Sequence, residues 1–358
     1  METERRIWPD IAIPPGEFLA ETLATMGISQ AELARRSGRP VQVINEIVLG
    51  KKEITAETAL QFERVLGTPA HVWVGLEADY RFNRARLADE TRLVSETPLA
   101  RRYPCSELAK RGLVRKGNDW GERVGELLRF FGVASLEQIN LPVVAWRKSR
   151  AVAPCRYALA AWLRQGELLA QQVKTDPFNA SALRGLLPVL RGLTGEPTFA
   201  ERLQELLRKC GVALVFVREF PKTGAHGATR WVGKLPIMQL SIRYGWADIF
   251  WFTLFHEIGH LLKHGRREEF IEFRDNRRND VQEIEADGFA RDWLIPPSQY
   301  ARFVSGVTRF PSRIEVLAFA AKIGIAPGVV VGRLQHDKIL PPTHLNGLRS
   351  KLVWAKGE

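Results

Sequence analysis

Over the first 80 residues apolar positions recur at helical spacing, and glycines close each run. ISQAELARRSG opens on a capping box, Ser29 with Glu32, and stops at Gly38. RPVQVINEIVLG starts a second helix with Pro40 at its first position and ends at Gly50. ITAETALQFERVLG follows, with Ala59, Leu60, Phe62, Val65 and Leu66 at helical spacing. Two short helices around a turn near Gly38 predict a helix-turn-helix unit.

Residues 81–175 alternate arginine clusters (RFNRAR, RRYP, WRKSR) with amphipathic stretches such as VGELLRFFGV and ALAAWLRQGELLAQQV. They read as a helical connector with a solvated basic face, or alternatively a phosphate-contacting patch. The texture changes near residue 176. FAERLQELLRKCG reads as a helix stopped by Gly211, and VALVFVR as a strand. TRWVGKLPIMQLSIR holds two strand-like runs around a Lys-Leu-Pro turn. DIFWFTLFHEIGHLLKHG is a long apolar helix, residues 266–281 a charged loop, and VQEIEADGFARDWLIPP a helix stopped by Pro296. The tail IEVLAFAAKIGIAPGVVVGRLQHDKIL is helix, glycine turn, helix.

At 358 residues, 45% of them hydrophobic, the chain has room for two or three domains. Its apolar runs are too short to predict a membrane span, and METERRIWPD lacks the apolar core of a signal peptide. Cys105, Cys155 and Cys210 are odd in number and far apart, as reduced thiols in cytoplasm would be. The net charge of +12 invites a nucleic-acid reading, yet its distribution complicates one. Residues 1–80 sum to about −4, residues 81–160 to about +8 and residues 161–358 to about +8.

The chemistry concentrates in HEIGH, residues 256–260. His256 and His260, at i and i+4, lie on one helical face and could hold one zinc ion. Glu257 between them reads as the base that takes a proton from the attacking water. Trp251, Phe252, Leu254, Phe255, Ile258, Leu261 and Leu262 make the rest of the helix apolar. Two histidines and a glutamate in such a helix need a reason to be there. The plainer alternative is two core histidines with hydrogen-bond partners. Gly259 permits close backbone packing. His264 is a third histidine on this helix, but it lies two turns, about 12 Å, from His256, so one ion cannot bind both. It reads as a helix C-terminal residue stabilised by the dipole. The next helix offers Glu283, Glu285 and Asp287. Glu283 and Asp287 share a face, and Glu285 points away.

Two resemblances follow. PPGEFLAETLATMGISQAELARRSGRP and INEIVLGKKEITAETALQFERVLGTPAHVWVGLEADY, in that order, resemble the XRE-type helix-turn-helix of HigA-like antidote proteins. KLPIMQLSIRYGWADIFWFTLFHEIGHLLKHG with EIEADGFARDWLIP resembles the ImmA/IrrE family of zinc metallopeptidases. PFNASALRGLLPVLRGLT, GAHGATRWVG and GIAPGVVVGRLQ extend the second resemblance to about residues 176–340. It implies one zinc ion on His256, His260 and Glu283, and Asp287 orienting a ligand histidine from behind. The ImmA/IrrE family cleaves helix-turn-helix repressors and so releases stress-response, mobile-element or phage genes. In zinc peptidases of this general design an edge strand binds the substrate backbone, and IMQLSIR is the candidate, beside the default of an ordinary structural strand. Arg230, His226 and Tyr300 are candidates for stabilising an oxyanion.

The expected architecture is thus multidomain. An all-α helix-turn-helix domain (1–80) precedes a basic helical connector (81–175). An α+β zincin-like metallopeptidase domain with a small sheet (176–300) and a C-terminal helical region (301–358) follow. For DNA, Gln42 and Asn45 are the candidate base readers, and Gln30, Arg39, Lys51 and Lys52 the candidate phosphate contacts. Val41, Val43, Glu46 and the acidic balance of the segment count against DNA and toward protein docking. The expected function is a regulatory zinc endopeptidase of the cytoplasm, acting on a protein substrate that the resemblance makes a helix-turn-helix repressor. Its N-terminal domain binds DNA or protein; a homodimer stays open, and no membrane is expected. The alternative is an antidote-like transcription regulator whose peptidase domain is inactive or only senses metal.

Overall fold

A computed structural model describes residues 9–142, 155–264, 270–273, 281–307 and 309–354. The cluster WRKSR, most of METERRIWPD and most of the expected 266–281 loop lie outside the described residues. The chain divides into two compact units, Met1–Ala100 with Gly117–Glu126, and Arg101–Lys116 with Leu127–Glu358.

The first unit is helical: α1 (Pro15–Met26), α2 (Gln30–Ser37), α3 (Val41–Val48), α4 (Ala56–Leu66), α5 (Ala70–Ser95) and a short α6 (Thr97–Ala100). Ser29 accepts the Glu32 amide at 3.1 Å and so caps α2. The capping box is only half made, because the Glu32 carboxylate is held by Arg35 and Arg36 instead. Gly38 ends α2 in the left-handed conformation, φ 69°. Pro40 stands one residue outside α3 as its N-cap, not at its first position. Leu19, Leu33, Ile44, Ile47 and Phe62 are buried around Trp73, whose ring meets Phe62 edge-on at 5.5 Å. Gly16 is required there, since a Cβ would strike the carbonyl oxygens of Ile47 and Val48. The boundary expected at residue 80 falls inside α5, which continues unbroken to Ser95.

The chain continues through α7 (Cys105–Lys110) and α8 (Trp120–Phe131) to α9 (Arg156–Ala170), α10 (Ala180–Gly192) and α11 (Ala200–Lys209). β1 (Ala213–Phe216), β2 (Ala225–Val232) and β3 (Leu235–Leu240) precede the long α12 (Ala247–Lys263). β4 (Phe270–Phe273), α13 (Val281–Leu294), α14 (Pro297–Ser305), α15 (Arg313–Ile323) and α16 (Pro327–His336) complete it. Among the described residues the protein is mostly helical with one small sheet, in the order β1-β3-β2-β4.

Three expectations need correcting here. The β2–β3 turn is Gly233-Lys234, not Lys-Leu-Pro. Val232 pairs with Leu235, and Gly233 supplies the positive φ, 61°, at the first of two turn positions. Pro236 sits inside β3 at a position preceding the ladder to β1, where its missing N–H costs nothing on that side. β3 is also central, parallel to β1 and antiparallel to β2, so IMQLSIR has no free edge for a substrate. Both its faces are packed, and buried Gln239 donates to the Trp162 carbonyl at 2.7 Å. Finally, the charged 266–281 segment contains β4, which pairs antiparallel with β2; FIEF is a short β-favouring run between charges.

ALAAWLRQGELLAQQV is a core helix, not a solvated connector. Leu159, Ala161, Trp162 and Leu163 of α9 are buried, and Gly166 lets Gln239 press against the helix. Trp251, Leu254, Phe255 and Ile258 of α12 are buried with residues of α10, α11, α15 and α16. Among the described residues no single helix is long and apolar enough to cross a membrane.

Candidate metal centre and helix-turn-helix surface

α12 turns its apolar residues into the core and its polar ones toward α13 and β2. His256 and Glu257 are fully buried and His260 is nearly so. The helix lies close to α13 because residue 259 is glycine; a Cβ there would stand 3.2 Å from Ala286 Cα. That approach brings Glu283 over the two histidines.

The Nε2 atoms of His256 and His260 are 2.9 Å apart. The Glu283 carboxylate lies 3.3 Å from the first and 3.4 Å from the second. Donor atoms around one tetrahedral zinc ion, with bonds of 2.0–2.1 Å, stand about 3.3 Å apart. Two imidazole nitrogens and a carboxylate at this spacing are a donor set that one zinc ion fits. Burial disfavours ionising Glu283, but the hydrogen bonds and charges of His256 and His260 outweigh it and bring its pKa down to about 2. Burial likewise lowers the His260 pKa, which favours the neutral imidazole a metal requires.

Asp287, one turn beyond Glu283, places Oδ1 2.9 Å from His256 Nδ1, on the ring edge away from the cluster. His264 ends α12, with its Nδ1 2.9 Å from His260 Nδ1 and its Nε2 3.2 Å from Glu285. Glu285 is thus engaged with His264 outside the cluster. Glu257, next to His256 on α12, lies against β2. A Cβ on Gly227 would stand 2.6 Å from a Glu257 carboxylate oxygen and 2.7 Å from Thr253 Cγ2. Gly227 therefore shapes this wall of the site; only the run GAHGATRWVG hinted at it. Of the oxyanion candidates, His226 lines the cleft beside the cluster. Arg230 donates to the Leu163 carbonyl, and Tyr300 donates to Asp337 at 2.8 Å.

At the foot of α12, Arg349 donates to both Asp248 carboxylate oxygens, at 3.0 and 2.8 Å. Burial still pushes the Asp248 carboxyl above its ordinary value.

In the first unit α3 presents Val41, Gln42 and Asn45 to solvent, while Ile44 and Ile47 are buried. Gln42 donates to Glu46 at 3.1 Å, and Lys52 pairs with the same carboxylate at 3.9 Å. Lys51 is exposed and Gln30 half-buried. Arg39 turns to α4, donating to Gln61 at 2.6 Å and pairing with Glu57 at 3.3 Å.

Comparison with known proteins gives two family matches, to helix-turn-helix over residues 19–73 and to the IrrE N-terminal-like domain of the M78 peptidases over residues 249–324. Virulence-associated protein I of Dichelobacter nodosus is 40% identical over 75 residues, 21% of this chain and 69% of that protein. An addiction module antidote protein of a HigA family from Coxiella burnetii is 31% identical, covering 24% of this chain and 94% of its own, with a TM-score of 0.23. The Pseudomonas aeruginosa antitoxin HigA, solved with the higBA promoter, is 32% identical, covering 24% and 95%, also at 0.23. The N-terminal segment of the chain therefore belongs to the helix-turn-helix family, and residues 249–324 match the IrrE N-terminal-like domain.

Proposed function

We propose that the chain is a regulatory zinc endopeptidase, with His256, His260 and Glu283 as the metal ligands and Glu257 as the general base. The observation that carries this reading is the convergence of three buried donors on one point, with Glu257 adjacent but outside the set. When bound, zinc would acidify a water and polarise the scissile carbonyl. Glu257, held against Gly227, takes the proton of the attacking water and returns it to the leaving amine. Asp287 fixes the His256 ring and its tautomer, so that Nε2 faces the cluster. Burial around Glu257 keeps bulk water from competing for its carboxylate.

We assign the substrate to the class of helix-turn-helix regulators, by resemblance to the ImmA/IrrE family, and place the reaction in the cytoplasm. Residues 1–80 would supply DNA binding or docking and the part of 81–175 before α9 the connection; α9, buried against the sheet, would join 176–300 in the catalytic domain, with 301–358 as helices that support it. On DNA, α3 would carry Gln42 and Asn45 to base edges, with Gln30, Lys51 and Lys52 at phosphates. Arg39 would reach a phosphate only by giving up Glu57. A second reading, a transcription regulator with a silent or metal-sensing peptidase domain, is favoured by the capped helix-turn-helix itself.

One experiment separates the two. Zinc-loaded protein is incubated with helix-turn-helix proteins, and Glu257→Gln is used to trap bound substrate. Cleavage by the wild type and stable capture by Glu257→Gln support the peptidase. Equal cleavage by both proteins would contradict Glu257 as base, and no cleavage with intact DNA binding would favour the regulator.

A further inference from the structure

The two histidines of the cluster are held from behind in different ways. Asp287, a carboxylate, meets His256 Nδ1 directly at 2.9 Å. His260 Nδ1 instead meets a second ring, His264 Nδ1, at 2.9 Å. His264 Nε2 in turn lies 3.2 Å from the Glu285 carboxylate. We propose that His264 and Glu285 are positioning residues of the metal centre, and that together they fix the tautomer of His260. The inference rests on the reading of His256, His260 and Glu283 as metal ligands.

The hydrogen-bonding capacity of each partner gives the direction. A carboxylate only accepts, so Asp287 places the proton of a neutral His256 on Nδ1 and leaves the Nε2 lone pair toward the cluster. An imidazole nitrogen either accepts or donates, so His264 by itself leaves His260 undecided. Glu285 decides it. Its carboxylate accepts from His264 Nε2, so the proton of the neutral His264 ring sits there and Nδ1 is the acceptor. His260 then donates from Nδ1, and its Nε2 keeps the lone pair a metal requires. The opposite tautomer would point an N–H of His260 at His256 Nε2, 2.9 Å away, inside the cluster. Local structure keeps the ring in place. His264 is the C-cap of α12, its amide still bonded to the His260 carbonyl at 3.0 Å. Its side chain is only 4% exposed, so the ring lies against His260 and not in water. α13 thus supports both histidines: Asp287 reaches His256 directly, and Glu285 reaches His260 through His264.

The test uses the full chain with isotope-labelled histidine. In the metal-free protein, at a pH where the rings are neutral, nitrogen–proton correlation spectra read each tautomer. The expected result is the His260 proton on Nδ1 and the His264 proton on Nε2. The Glu285 side chain is 49% exposed, so Glu285→Ala should fold normally while turning His260 into a mixture of both tautomers. Competition between the protein and a zinc chelator is the second readout. His264→Leu should weaken zinc binding about fivefold, less than the roughly 10- to 100-fold of a lost outer carboxylate. His264→Asn keeps an acceptor oxygen near the place of Nδ1 and should restore most of the affinity. A His260 proton on Nε2 in the wild type, a tautomer unmoved by Glu285→Ala, or unchanged zinc affinity in His264→Leu would overturn the proposal. Equal weakening by the Leu and Asn variants would also overturn it, since packing and not the hydrogen bond would then matter. None of these readouts needs catalysis. Failure of the metal reading shows separately, as a wild type that binds no zinc, and failure of the peptidase reading as a zinc-loaded wild type that cleaves nothing.

Discussion

Gly227 of β2 meets Glu257 of α12 so closely that a Cβ on the glycine would lie 2.6 Å from the carboxylate. No real Cβ tolerates that distance, so Gly227→Ala must move Glu257, β2 or both. The atoms nearest that Cβ belong to Glu257 and Thr253, not to His256, His260 or Glu283. Gly227→Ala should therefore keep zinc and lower cleavage about a hundredfold, the cost of misplacing a catalytic group by roughly 1 Å. Zinc content and initial rate on the same sample check this.

Much of this centre is legible in the sequence because its signals are local. HEIGH fixes a helical face, Gly259 announces a close helix pair, and the caps at Ser29 and Gly38 bound α2. What was not legible depends on strand order and on contacts far apart in the chain. Alternation in IMQLSIR cannot say that β1 and β2 flank β3 on both sides. Charges around FIEF conceal β4, and the basic composition around α9 conceals its burial against the sheet. Arg39 reads as a phosphate contact until Gln61 and Glu57, from α4, are seen beside it.

Removing donors should grade zinc content by distance from the cluster. Glu283→Ala loses a donor and should release most of the metal. Asp287→Ala keeps all three donors but frees the His256 ring, and should weaken affinity about 10- to 100-fold. His264→Ala should weaken it less than Asp287→Ala, because the partner it removes from His260 Nδ1 is an imidazole and not a carboxylate. Competition with a zinc chelator orders the three variants.

Arg349→Ala should lower the stability of the second unit by about 3 kcal/mol at pH 7, since it leaves a buried carboxylate without its partner. The sign of the pH dependence follows from Asp248. Its folded pKa lies above the ordinary 3.8, so the folded state binds the proton more readily than the unfolded one. The defect of the variant should therefore shrink as pH falls from 7 toward about 4. Urea unfolding at both pH values measures it.

On DNA, Gln42→Ala and Asn45→Ala should relax sequence preference, each by about 1–3 kcal/mol at the base pair read. Lys51→Ala with Lys52→Ala should weaken all sequences and flatten the salt dependence. Arg39→Ala should instead destabilise the first unit by about 1 kcal/mol through the lost Gln61 bond. Gel shifts at two salt concentrations and thermal unfolding separate these effects.

The arrangement of the metal centre is tested most directly by anomalous diffraction at the zinc edge from zinc-loaded crystals. The expected result is one ion bonded to His256 Nε2, His260 Nε2 and the Glu283 carboxylate, with Glu257 outside bonding distance and Asp287 on His256 Nδ1. An ion bonded to His264 or Glu285, or one displaced from the 256–260 pair, would contradict it.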